Sequence, residues 1–198
     1  MEFKRWFADR GDFIHRLNYN LNKKSIVFDV GGYRGDYAFQ IYQRYGCKIY
    51  IFEPVCEFYH SIVERFKNIP NISVFNYGLS NGECTQEITV DGDASSTHKI
   101  GKNIEIIQLR EIGDVIKELL VDEIDLIKIN IEGEEFPLLF HCIENNLTLK
   151  MKNIQVQFHA FVDSAMVKRH QIRQNLKKTH QITYDYAFVW ENWEIKKE

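Results

Sequence analysis

Short apolar runs rich in β-branched residues alternate along this chain with longer amphipathic stretches, and that alternation restricts the fold more than any other feature. Ser25–Val30 (SIVFDV), Lys48–Phe52 (KIYIF), Ile72–Asn76, Ile124–Ile129 and Ile154–Phe158 read as strands. Helical periodicity fills Asp36–Tyr45, Cys56–Phe66, Glu111–Leu120, Glu134–Asn145 and the basic stretch Ser164–Lys178. The Asn68-Ile69-Pro70-Asn71 segment is a turn. Thr85–Val90 and Ile104–Leu109 read as two more strands, joined by a polar loop with Ser95, Ser96, Thr97 and His98, and Ile182–Val189 with Trp190–Lys196 form a closing hairpin. Strand–helix repeats imply parallel strands joined by crossovers and covered on both faces. The expectation is one α/β domain over residues 25–198, with a doubly wound, mostly parallel sheet and a C-terminal antiparallel hairpin. Residues 1–24 are expected to be a helical extension packed on that domain. Its helix would run over Glu2–Leu21 and bury Phe3, Trp6, Phe7, Phe13, Ile14 and Leu17.

Composition narrows the partners. With 198 residues and a net charge of -3, the chain carries one full-sized core and no global attraction for nucleic acid or an anionic membrane. Cys47, Cys56, Cys84 and Cys142 are scattered without a CxxC pair, which reads as reduced thiols in a cytoplasmic protein, with no zinc site. The charged N-terminus MEFKRWFADRGDF is no signal peptide, and no apolar run reaches membrane-spanning length.

In doubly wound, Rossmann-like sheets, ligands bind at the carboxyl ends of the strands where strand order reverses. Polar residues stand at that end of the expected strands: Asp29 with the following glycines, Glu53-Pro54, Asn130 with Glu132, and Gln157 with His159. The stretch VFDVGGYRGDY (27–37) is the most informative of them. Gly31, Gly32 and Gly35 do not fit the spacing of a dinucleotide fingerprint, and no Gly-Lys-Ser/Thr follows to make a phosphate loop. Asp29 and Asp36 beside the turn repel a pyrophosphate and suit a cationic ligand. Glu53, ending the next strand, is placed to accept both hydroxyls of a ribose. A ligand with a ribose, an amine and a positive centre but no phosphate is S-adenosylmethionine. Taken alone, the glycine turn is equally well a tight strand-to-helix connection with Asp36 capping the helix; Glu53 tips the reading towards the cofactor.

VFDVGGYRGDY, IFEPV, NYGLS and IKINIEGEE follow one another in an order and spacing that resemble the FkbM-type methyltransferases, a branch of the class I S-adenosylmethionine-dependent enzymes, across roughly residues 25–160. The resemblance implies that Asp29, Gly31, Gly32, Tyr33, Gly35 and Asp36 cradle the methionine part of the cofactor. It further implies that Glu53, with Pro54, holds the ribose and that Asn76, Gly78 and Leu79 lie near the adenine. It implies O-methylation of a hydroxyl, often on a sugar of a surface glycan or a secondary metabolite. In one place the chain departs from the family: Asn130 stands where an Asp is common, and an amide is no base and a poor metal ligand. Glu132 and Glu134 remain as candidate acids, beside the alternative that they complement a helix dipole.

Methyl transfer from a sulfonium is an in-line displacement governed by alignment, and a hydroxyl acceptor also benefits from a base. His159, at the ligand end of IQVQF, is the expected base because histidine titrates near neutrality. Glu132 and Asn130 complete the expected catalytic set, and His98 is a weaker candidate. The acceptor is expected to be a small molecule or glycan. Trp190 or Trp193 either packs under the sheet or lines the acceptor pocket, and the basic helix with Lys168, Arg169, Arg173, Lys177 and Lys178 either faces solvent or meets a phosphate-bearing carrier. The alternatives are an N-methyltransferase of a small amine or amide, a nucleotide-sugar enzyme of the Rossmann type, and a cofactor-binding scaffold without activity.

Overall fold

The computed structural model describes residues 2–91, 94–96 and 104–197. In chain order, α1 (Glu2–Ala8) and α2 (Gly11–Ile14) precede β1 (Ile26–Val30), α3 (Asp36–Tyr45), β2 (Lys48–Phe52), α4 (Cys56–Phe66) and β3 (Ile72–Phe75). Then come β4 (Gly78–Ser80), β5 (Cys84–Asp91), β6 (Ala94–Ser96) and β7 (Ile104–Glu111). The chain closes with α5 (Ile112–Glu118), β8 (Leu126–Ile129), α6 (Glu135–Glu144), β9 (Asn153–Val156), α7 (Ala165–Leu176), β10 (His180–Tyr186) and β11 (Trp190–Ile195).

The main sheet has seven strands in the order β10-β11-β9-β8-β1-β2-β3. β3, β2, β1, β8 and β9 are parallel, and β11 is antiparallel to both its neighbours. The chain winds outward from β1 to β3 and returns to start again at β8, so strand order reverses between β1 and β8. A crevice opens there, above their carboxyl ends. Both faces of these strands are covered, which is why VFDV and LIKI are buried at every position. Alternation sends Phe28, Val30, Ile127 and Ile129 into one core with Phe136, Leu139 and Ile172, and Val27, Ile49 and Ile51 into another with Ile41, Ile62 and Phe66.

The single N-terminal helix expected over Glu2–Leu21 is broken. Arg10 takes a left-handed φ of 53° and ends the first segment, and a second, four-residue turn stops at Ile14. The break lets the chain fold back on Trp6, which is 2% exposed and packs against Tyr186. A Cβ on Gly11 would fall 2.2 Å from the Trp6 ring, so only glycine permits this approach. Of the expected apolar face, Trp6 is buried and Leu17 partly so, while Phe3, Phe7, Phe13 and Ile14 are exposed.

A small sheet, β4-β7-β5-β6, stands beside the main one. Its strand β4, three residues of the NYGLS segment, carries too short a run to be read as a strand; it forms by parallel pairing with β7. Thr97 and His98 lie outside the described residues, as do the side chains of Ser95 and Ser96. At the C-terminus both tryptophans are buried, Trp193 completely, so they serve the core and not a pocket. Arg169 and Arg173 on α7 are held by Asp185 and Glu191, which leaves neither guanidinium for a phosphate carrier.

Candidate active site

A cleft with about 920 Å³ of empty space up to its open mouth sits above β1, β2 and β8, with the small sheet as its far wall. Its floor begins at the glycine turn. Gly31 has φ +83°, and a Cβ there would lie 2.1 Å from the carbonyl oxygen of Asn130, so strand β8 closes against bare backbone. Below the turn, Asp29 and Lys128 are neighbours in the β1–β8 register. Lys128 Nζ lies 2.9 Å from the Asp29 carboxylate and donates to the Gly31 carbonyl at 2.6 Å. The Asp29 oxygens accept no well-aligned hydrogen bond, so the contact is an ion pair whose stronger directional bond goes to the turn. The pair braces the turn from underneath.

Glu53 closes β2. It is 4% exposed, and its two oxygens accept Tyr33 N at 2.7 Å and Val55 N at 2.9 Å. Burial pushes its pKa up to about 7, against the two backbone donors and Lys128, which hold it down. Asn76 supports this corner from outside by donating to the carbonyls of Glu53 and Pro54. Beyond Glu53, the part of the cleft lined by Phe52, Val55, Phe58, Leu79, Ile107 and Leu109 is apolar and suits an aromatic base. The lining carries Glu53, Glu132 and Glu134 and, among the described residues, no Lys or Arg. A carboxylate fit for a ribose, an apolar slot and an acidic lining fit S-adenosylmethionine and oppose a phosphate-bearing nucleotide.

The opposite wall is the turn between β8 and α6. Asn130 lines the cleft, and its Oδ1 accepts no hydrogen bond from the described residues. Glu132 follows with a left-handed φ of 52°, a backbone state that costs a non-glycine residue of order 1 kcal/mol and turns its side chain into the cleft. His159, at the end of β9, reaches behind it. His159 Nε2 lies 3.5 Å from Glu132 Oε1, and Nδ1 lies 3.0 Å from Glu135 Oε1. Burial alone would lower the His159 pKa, but the two carboxylates outweigh it and push the value up to about 9. The imidazole therefore holds its proton at pH 7. The expectation of titration near neutrality is corrected, because a histidine between two acids gains more from their charge than it loses by desolvation.

Of the residues singled out from sequence, Gly31, Tyr33, Glu53, Pro54, Gly78, Leu79, Asn130 and Glu132 meet on the cleft. Others lie off it. Asp29 is under the floor, Gly32 packs on Ile51, and Gly35 (φ +76°) packs on Phe66. Asp36 is bound by Arg65 at 2.6 Å with its side chain 66% exposed. His159 stands one layer back, behind Glu132. Sequence reasoning passed over Glu135, although the third acid of IEGEE was in view. It also missed the wall of Val55, Phe58, Ile88 and Ile107, for which no local signal exists, since α4, β5 and β7 make it together. Among the described residues, no three of His, Cys, Asp and Glu converge as a metal site, and no helix is long and apolar enough to cross a membrane.

Solved structures share this architecture across nearly the whole chain. An rRNA methylase from Streptococcus thermophilus superposes with a TM-score of 0.55 at 12% identity, covering 96% of each chain. A Streptococcus mutans protein assigned as a methyltransferase and solved with S-adenosylhomocysteine gives 0.56 at 11%, covering 97% of each. The METTL16 methyltransferase domain gives 0.56 at 14%, covering 98% of this chain and 67% of that one. At such identities the likeness is one of fold. A search of curated proteins returns no match. The model of the methyltransferase FkbM domain matches residues 29–186, from the acid of the first strand to the last tyrosine of β10. The chain belongs to the FkbM methyltransferase family.

Proposed function

We propose that this methyltransferase acts on a hydroxyl group, on a neutral carbohydrate or polyol acceptor, in the cytoplasm. The observation that carries the reading is a carboxylate on the cleft wall, Glu132, backed by an imidazole whose Nε2 lies 3.5 Å from Glu132 Oε1, on the side away from the cleft. A hydroxyl can donate its proton to Glu132 and keep a lone pair for displacement, while the imidazolium behind the carboxylate holds it in place. A neutral amine enters as a free base and gains far less from a carboxylate base. When bound, S-adenosylmethionine supplies a methyl group activated by the sulfonium. Glu53 would hold the ribose hydroxyls, with Asn130 beside it on the cleft lining.

Glu132 takes the hydroxyl proton as the acceptor loses it, and the imidazolium behind it holds the carboxylate towards the cleft. The base role assigned to His159 from sequence thus passes to Glu132, with His159 as the donor beside it. The half-exposed ring of Phe161, 5.3 Å from the His159 ring, offers a face for the C–H side of a sugar. The acidic lining disfavours a phosphate backbone, so RNA and DNA are outside the proposed acceptors. The four free cysteines accord with a reducing compartment.

The test is release of S-adenosylhomocysteine with three acceptor classes: neutral oligosaccharides and polyols, small amines, and RNA. Turnover with the first class alone supports the reading; transfer to amines or RNA in preference overturns it.

A further inference from the structure

Glu135 is a carboxylate near the cleft with no exposed surface. It opens α6 and belongs to no wall of the cleft, yet it binds both elements that carry the reacting pair. One oxygen accepts Gly133 N at 2.8 Å, inside the left-handed Glu132–Gly133 turn, where Gly133 has φ +113°. The other accepts His159 N at 2.7 Å and faces Nδ1 of the same residue at 3.0 Å. One side chain therefore ties the end of β8 to the end of β9, holding the strained turn at one oxygen and the imidazole at the other.

We propose that Glu135 is a positioning residue, whose buried carboxylate sets Glu132 and His159 in register and keeps the His159 Nε2–H directed at the Glu132 carboxylate. A bond from Nδ1 to Glu135 leaves Nε2 as the nitrogen that faces Glu132, and it fixes the rotation of the ring. The same carboxylate, through Gly133, resists relaxation of Glu132 out of its left-handed state. Among the described residues, Glu132 and Glu135 are the charged groups that face the His159 ring. The inference rests on the hydroxyl-transfer reading above, but its test does not require the acceptor.

Ring ¹⁵N shifts of His159 are recorded against pH in protein saturated with S-adenosylhomocysteine. In the parent, the last ring proton is expected to reside on Nδ1 at high pH; residence on Nε2 overturns the inference. In Glu135→Gln the titration midpoint should fall by about 1 unit or more, because an ion partner has become an amide. S-adenosylhomocysteine affinity by calorimetry should stay within about twofold, since Glu135 is not on the cofactor's wall, and a residue that merely supported the fold would move it. Glu135→Asp, which keeps the charge at shorter reach, should recover part of the midpoint. An unchanged midpoint in Glu135→Gln, or a midpoint in Glu135→Asp no higher than in Glu135→Gln, overturns the inference and leaves hydroxyl transfer standing. Failure of the parent to bind S-adenosylhomocysteine defeats the functional reading itself.

Discussion

Asp29 and Lys128 face each other across β1 and β8, 2.9 Å apart in the interior of the sheet, with 0% and 5% of their side chains exposed. Truncating one partner leaves a buried charge without its counterion, at a cost of about 3–5 kcal/mol. Lys128→Met should show that loss in urea unfolding. It should also weaken cofactor binding, because the Gly31 carbonyl loses its donor. Lys128→Met combined with Asp29→Leu should regain much of the stability and little of the affinity.

Glu53 has a raised pKa, about 7 in the folded protein against an ordinary 4.5. Its contribution to stability is therefore present below pH 4.5 and lost as pH rises through 7, the reverse of a salt-bridged acid. Ribose hydroxyls favour the ionised form, so affinity for S-adenosylhomocysteine should increase from pH 6 to pH 8 with release of a proton. Calorimetry in two buffers of different ionisation heat detects that proton. Glu53→Ala should bind about ten- to a hundredfold more weakly, matching a charged hydrogen bond of ~1.5–3 kcal/mol, and should lose the pH dependence.

His159 is raised from 6.5 to about 9. Its ion pairs stabilise the fold fully below pH 6.5, and that contribution, at most about 3 kcal/mol, disappears as pH climbs through 9. Thermal unfolding of the parent should weaken between those limits, and His159→Gln should flatten the curve. Turnover should fall on the same alkaline limb as the imidazolium loses its proton. Glu132→Gln should cut turnover by roughly 10²–10⁴ at all pH values, with cofactor affinity nearly unchanged.

Gly31→Ala meets two obstacles at once, a φ of +83° and a backbone oxygen 2.1 Å from the new Cβ. The carbonyl of Asn130 cannot move aside without unpairing β8 from β1. The expected outcome is loss of S-adenosylhomocysteine binding and a lower melting temperature, whereas Gly82→Ala, whose Cβ meets nothing within 4 Å, should change neither. Parallel calorimetry and thermal melts of the two variants separate a local requirement for glycine from a general intolerance.

Local sequence determined which elements form. Apolar runs buried on both faces can only be inner parallel strands, and VFDVGG followed by IFEP marks where two of them end, so the crevice, Glu53 and the turn were legible before any coordinates. The cofactor class was legible too, because Glu53 at the end of the next strand is a carboxylate fit for ribose hydroxyls and the glycine spacing fits neither a dinucleotide fingerprint nor a phosphate loop. Tertiary structure decided what each charged group does once it has neighbours. Asp29 went to Lys128 and Asp36 to Arg65, away from the cleft, since each found a cation within 2.9 Å. His159 became an imidazolium because Glu135, 24 residues earlier in the chain, is folded against its ring. The N-terminal helix broke at Arg10 because burying Trp6 required the chain to reverse there, which periodicity cannot register. Strand and helix patterns are set by contacts a few residues apart, whereas the charge and orientation of a side chain depend on partners that only the packed sheet brings within bonding distance.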